Sequence, residues 1–367
     1  MSQTIAELET PIPVVDLDRL ARNLDRAAEY ATAHQLSLRP HIKTHKSPRV
    51  ASEQLQRGAV GVTCATPFEA EVMSGVCNDI LVAYPPVGAK RAARLAALPE
   101  TVKLTVALDS MQAIDDLARA AREADRTIHV YIELDVGMHR VGLPNVAEAI
   151  ELARAVRDRP PLVFEGIAFY PGHVREAVGE QNAKLDQLNA SLNDAINAFD
   201  RAGLRPHIVS GGSTPTLWNS HEIIGQNEFR PGTYVYNDRT TAAIGACAWD
   251  DCALTVLATV VSTAVPNQAV IDAGTKALGR EPMRGTPGEG FGCVMGHHDV
   301  IVKAMSEEHG MLDLTQSSWR PEVGERVRII PNHVCIVVHL NDVIAGIRGD
   351  VLETSWPVAA RGRGYTL

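Results

Sequence analysis

Residues 103–135 read KLTVALDSMQAIDDLARAAREADRTIHVYIELD, and their texture decides the fold. A β-branched run at 103–109 gives way at Asp109 to a segment, 109–124, with apolar residues at i, i+3 and i+4, and a second β-branched run follows at 128–135. Period two, then 3.6, then two spells strand, helix, strand. Two strands joined by a helix pair in parallel. Outward from this unit the same alternation extends from residue 16 to about 235. Strand candidates fall at 36–42, 60–65, 80–84, 103–109, 128–135, 163–170, 207–210 and 229–235, about eight in all. The segments between them, such as 16–35, 109–124 and 145–158, open on Asp or Asn, residues that cap helix N-termini. Eight parallel strands predict an α/β fold, a closed (β/α)8 barrel over residues 12–240. Beyond residue 240 come β runs at 254–265, 269–273, 326–330, 334–340 and 342–345 without long intervening helices. They predict an all-β second domain over 241–367, against which residues 1–11 pack.

With 367 residues, 45% of them hydrophobic, the chain can bury the core of such a pair of domains. No apolar run approaches the roughly 18 residues that span a bilayer, and the N-terminus lacks a signal-peptide pattern, which sets the expectation of a cytoplasmic protein with no membrane partner. The six cysteines form no CxxC pair and read as reduced thiols. A net charge of −9 without a basic cluster excludes a phosphate-backbone partner, so nucleic acid is set aside.

Working residues of such a barrel sit where strands end at its C-terminal face. The first strand ends in Arg39-Pro40-His41-Ile42-Lys43-Thr44-His45-Lys46. Desolvated at the mouth, Lys43 offers an amine for aldehyde condensation; taken alone, a lysine is more often a solvated loop charge. The fifth ends in Asp135-Val136-Gly137-Met138-His139-Arg140-Val141-Gly142, where Arg140 could donate to a cofactor oxygen. After the sixth, Tyr170-Pro171-Gly172-His173 offers a ring for a flat cofactor and an imidazole for proton work, although a lone His is more often structural. Gly211-Gly212-Ser213-Thr214-Pro215-Thr216 after the seventh and Arg230-Pro231-Gly232-Thr233-Tyr234 at the eighth suit a phosphate cradle; each alone could be a plain turn. In the second domain His333 and Cys335 lie two apart in a strand-like run, which would send a nitrogen and a sulfur donor to one face. Such a pair favours zinc and leaves positions open, while a buried Cys beside a strand His is the commoner outcome.

Together PHIKTHK, DVGMHRVG, YPGH, GGSTPT, RPGTY, SEEHG and PNHVC, in this order, resemble the metal-dependent D-threonine aldolases and the eukaryotic-type D-serine dehydratases. The similarity runs from about Thr10 to Val358. It implies the alanine racemase-like fold, a barrel carrying pyridoxal 5′-phosphate (PLP) followed by a β domain, and a homodimer. It implies that Lys43 carries the cofactor and that Arg140 and Tyr170 lie near its ring. Ser213, Thr214, Gly232 and Thr233 would then contact the phosphate and Arg230 would face the pyridine nitrogen. His333 and Cys335 would bind a divalent metal, zinc or manganese. His45, Lys46, His139, His297 and His298 receive no role. One departure stands out: the aldolases can carry Asp at the second metal position, and Cys335 is closer to the dehydratases.

The resemblance implies a lyase acting on small 3-hydroxy D-amino acids. If His173 removes the hydroxyl proton, D-threonine-like substrates split into glycine and an aldehyde. If Lys43 takes the α-proton and hydroxide leaves, D-serine or D-threo-3-hydroxyaspartate yields a keto acid and ammonia. Racemisation needs a second base, and 271–276 (IDAGTK), aligned with the racemase tyrosine, holds no tyrosine. A non-enzymatic PLP-binding protein would give the second domain no purpose.

Overall fold

A computed structural model of the chain describes residues 3–284 and 289–365. Its residues divide into two compact units. One comprises Ala27–Lys43, Pro48–Gly232 and the residues from Gly362 on; the other comprises the chain up to Arg26, Thr44–Ser47 and Thr233–Arg361.

The first unit is built on eight parallel strands: Ser37–Leu38, Val62–Cys64, Asp79–Val82, Lys103–Leu108, Ile128–Leu134, Leu162–Phe169, Ile208–Gly211 and Glu228–Phe229. From the second strand on, each pairs with the next in sequence, and the last pairs with the first. Val60 N donates to Leu38 O, Thr63 N to Pro40 O and Ile42 N to Thr63 O, which joins the remaining edges and closes the barrel. The regular part of the first strand is shorter than the 36–42 expected, yet the chain stays extended past it, with Arg39 N donating to Phe229 O and His41 N to Pro231 O. Leu81, Ala107, Tyr131 and Ala168 form one buried layer inside the barrel.

The helices form where amphipathic spacing meets a cap. Ser110 accepts from Ala113 N at the start of Met111–Glu123, Thr66 from Glu69 N before Pro67–Met73, and Asn145 from Ala147 N before Val146–Arg157. Ile114, Leu117, Ala118 and Ala121 of Met111–Glu123 are fully buried, as their spacing requires.

The second unit carries a nine-stranded sheet. Gln268–Ile271, Gly310–Asp313, His297–Met305, Gly292–Val294, Arg326–Pro331 and Leu254–Ser262 pair in that order, and Gln268–Ile271 pairs back onto Leu254–Ser262. These six antiparallel strands therefore ring a core that includes Cys252, Cys293 and Ile330. Ile12–Asp16 lies between Leu254–Ser262 and Val343–Arg348, and Val351–Pro357 completes the edge.

One segment departs from its reading. Residues 334–340, expected as a strand, form the helix Val334–Leu340. Val334, Val337 and Val338 face the core at i, i+3 and i+4, and burial of that face outweighs the β preference of the valines. The described cysteines are all free thiols. Among the described residues no helix is long and apolar enough to cross a membrane.

Candidate active site

At the mouth of the barrel the ring of Tyr170 gathers two cations. The Lys43 Nζ lies 5.7 Å from its centroid and the Arg140 guanidinium carbon 4.7 Å. The ring lies flat on the chain that follows it, because a Cβ at Gly172 would come within 2.1 Å of it. Arg140 is presented by a loop organised around Asp135, whose carboxylate accepts from Gly137 N and His139 N at 3.0 Å and meets His139 Nδ1 at 2.9 Å. Burial opposes ionisation of Asp135, but these hydrogen bonds hold its pKa below the usual carboxylate range. Gly142 closes the loop at φ +97°, where a Cβ would strike the Leu134 backbone, and its N–H donates to Asp109 Oδ2.

His173 packs on the same loop, its Nε2 3.2 Å from where a Gly137 Cβ would stand. Its Nδ1 is buried without a hydrogen-bond partner. Burial, with Lys184 nearby, pushes its pKa below the ordinary imidazole value, so the ring is neutral and able to accept a proton at physiological pH.

Arg230 follows the eighth strand and is 7% exposed. Its Nη1 donates to Ser210 O at 3.0 Å and Ser210 Oγ at 2.7 Å, and its Nη2 to Phe169 O at 2.9 Å. Among the described residues its Nε–H makes no hydrogen bond. Behind it runs a chain of buried charges that sequence reasoning missed. Ser210 Oγ donates to Glu228 Oε1 at 2.6 Å, Arg39 Nε to Glu228 Oε2 at 2.7 Å, and Arg39 Nη1 to Asp79 Oδ1 at 2.8 Å. Glu133 is also buried, and desolvation pushes its pKa up against the pull of Arg230 and Arg140. Ser213 and Thr214 are each 5% exposed beyond the seventh strand, after Gly212 at φ +83°. Ser213 N donates to Thr216 Oγ1, and the two hydroxyls meet at 3.1 Å. Gly232 is buried at the end of the eighth-strand loop.

A flat acceptor ring fits these residues. Its nitrogen lone pair matches a donor left on Arg230, its face matches the Tyr170 ring, and an aldehyde matches the Lys43 amine.

In the second unit, His333 and Cys335 come together at the start of Val334–Leu340. His333 is its N-cap, in extended conformation, and Cys335 lies in its first turn. The shared strand face expected from their spacing is replaced by this turn, which brings the thiol within hydrogen-bonding reach of the imidazole. Cys335 Sγ lies 3.3 Å from Thr44 Oγ1 and 4.0 Å from Thr233 Oγ1. His333 Nδ1 meets Asp238 Oδ2 at 3.0 Å. Burial alone would lower the His333 pKa, but the Cys335 sulfur and the Asp238 carboxylate raise it well above the ordinary value. Among the described residues no group of three or more His, Cys, Asp or Glu side chains gathers as a metal cluster. The imidazole nitrogen and thiolate suit a borderline-soft cation and leave its other positions open. Asp238, which caps Arg239–Ala243 in the structure, was not singled out from the sequence.

Two family descriptions match the chain: "Alanine racemase, N-terminal domain" over residues 15–240 and "Putative serine dehydratase domain" over 253–347. The 3-hydroxy-D-aspartate aldolase of Paracoccus denitrificans (strain Pd 1222) is 34% identical over 98% of this chain and 94% of its own length. The D-threo-3-hydroxyaspartate dehydratase of Delftia sp. (strain HT23) is 33% identical over 91% of this chain and 93% of its own. The crystal structure of D-threonine aldolase from Filomicrobium marinum matches with a TM-score of 0.90 at 32% identity, covering 98% of both chains.

Proposed function

Because this chain belongs to the alanine racemase-like family that holds D-threonine aldolases, 3-hydroxy-D-aspartate aldolases and D-serine dehydratases, we propose that it cleaves 3-hydroxy D-amino acids to glycine and an aldehyde, using PLP and a divalent metal. The protein is a lyase, as those relatives are. Enzymes of the alanine racemase-like fold use PLP, which when bound supplies the electron sink for negative charge at Cα. A zinc or manganese ion on His333 and Cys335 would supply Lewis acidity toward the β-hydroxyl.

The chain's own residues do the rest. Lys43 would hold the cofactor, with Tyr170 against its ring and Arg140 and Arg230 as donors to it. Ser213, Thr214, Gly232 and Thr233 would hold the phosphate, Ser213 by giving up its bonds to Thr216. His173 accepts the β-hydroxyl proton, and breaking of the Cα–Cβ bond then releases the aldehyde. The observation that carries the cleavage reading is this imidazole, kept neutral by burial, with Nδ1 unpartnered beside the loop of Arg140.

Cys335 favours a second reading, elimination to a keto acid and ammonia, in which Lys43 takes the α-proton. Product analysis decides between them. With D-threonine, acetaldehyde and glycine support the aldolase, and 2-oxobutyrate with ammonia supports the dehydratase. No product from D-threonine, D-serine or D-3-hydroxyaspartate overturns both. The working form is proposed to be a homodimer, which sedimentation measures directly.

A further inference from the structure

The His333 imidazole can serve a cation only through the nitrogen that carries no proton, so whatever places its proton decides whether it is a ligand. Asp238 occupies that position. It is 1% exposed, and its two oxygens are divided between two tasks. Oδ1 accepts from Thr241 N at 2.9 Å and from Thr241 Oγ1 at 3.0 Å, while Oδ2 meets Val334 N at 3.3 Å and His333 Nδ1 at 3.0 Å. A carboxylate has only lone pairs to offer, so Nδ1 must be the donor, and in the neutral ring the lone pair is left on Nε2. The neighbours repeat the clamp. Thr240 Oγ1 donates to Asn332 O at 2.8 Å and Arg239 Nη1 to Asn332 Oδ1 at 3.1 Å, while Asn332 Nδ2 reaches Glu281 O and Gly290 O. Asp238, Arg239 and Thr240 thus grip 332–334 with three side chains, and the carboxylate cannot turn away without leaving buried donors unpaired.

We infer that Asp238 is a positioning residue that fixes the tautomer and aim of His333 and thereby sets the affinity of the chain for a divalent cation. This rests on the reading that His333 and Cys335 hold the metal. An amide in place of the carboxylate separates tautomer from shape. With its oxygen toward Thr241 N, its NH2 faces His333 and demands the opposite tautomer; turned over, it sets donor against donor at Thr241.

The test is zinc affinity of the full-length, PLP-loaded protein, freed of metal and titrated with zinc against a chromophoric chelator. Asp238→Asn is expected to bind zinc on the order of 10- to 100-fold more weakly than the parent. Nitrogen NMR of labelled imidazoles, recorded above the pH at which the His333 ring takes its second proton, should report His333 as Nδ1–H in the metal-free parent and Nε2–H in the variant, and Asp238→Glu should recover part of the affinity. Equal zinc affinity and an unchanged tautomer in Asp238→Asn overturn the role of Asp238 alone. A parent that takes up no zinc overturns the metal reading, and this inference with it. If Asp238→Asn does not fold, the decision passes to Thr241→Val, which frees the carboxylate on one side. It is expected to weaken zinc roughly three- to tenfold, and an unchanged affinity overturns the proposal.

Discussion

Two imidazoles of this chain are both partly buried and have opposite surroundings. His173, on the loop after the sixth barrel strand, has a buried nitrogen with no partner and is pushed toward neutrality. His333, at the head of Val334–Leu340, is held between a thiol and a carboxylate and pushed toward charge. Burial acts on both in the same direction, so the difference comes from the partners alone. An unpartnered neutral ring suits taking a proton and giving it back. A ring whose proton is already anchored suits holding a cation.

The harshest way to break this contrast is His333→Ala. It should lower turnover on the order of 10³-fold, the several kcal/mol that a Lewis acid contributes, while the cofactor absorbance stays and zinc is lost. A variant that keeps zinc and turnover would make the two rings equivalent after all. His173→Ala should cost on the order of 10²-fold in cleavage with zinc stoichiometry unchanged. Retained cleavage would remove it as the base.

A pH series sharpens the same point. The His173 pKa is lowered, so its basic form is already populated below the ordinary imidazole value of about 6.5, and the acid limb of kcat/KM should fall below that pH. The His333 pKa is raised, so protons compete with the cation from a higher pH, and zinc affinity should decline on acidification before the limb of kcat/KM at saturating zinc is reached. Zinc affinity constant from pH 8 to 6 would contradict this.

The smallest effect belongs to a third imidazole that serves neither purpose. His129, at the opening of Ile128–Leu134, approaches Glu165 Oε2 to 3.2 Å, and Lys103 Nζ reaches Glu165 Oε1 at 2.7 Å. His129 and Lys103 together hold the Glu165 pKa at about 2. A depressed carboxylate stabilises the fold above its unfolded pKa of about 4.3 and loses that contribution as pH falls toward the folded value. Glu165→Gln should therefore cost about 1 kcal/mol at neutral pH and progressively less as pH falls toward the folded pKa of about 2, and leave activity intact. Urea unfolding at several pH values measures it.

The parts legible in the sequence are those whose signal is local. Period and caps gave the barrel, and the ends of its strands pointed to Lys43, Arg140, Tyr170 and Arg230. Arg39 and Glu228 stayed hidden because a charge on a strand reads as solvated until the strand 189 positions away supplies its partner. Asp238 stayed hidden for the same reason, its histidine lying 95 positions further along. The helix at 334–340 was misread because a valine-rich run looks like a strand until its buried face is known to repeat every three to four residues.

The strand Ile12–Asp16 has a consequence in time. It is made before the barrel, yet its partners Leu254–Ser262 and Val343–Arg348 are made only after it. At 5–20 residues per second its first neighbour arrives roughly 10 to 50 s later. For that interval a five-residue edge, apolar at its first four positions, waits unpaired while the whole barrel is synthesised. A newborn chain of this protein is most exposed to mispairing, and most dependent on being shielded from other chains, during that wait.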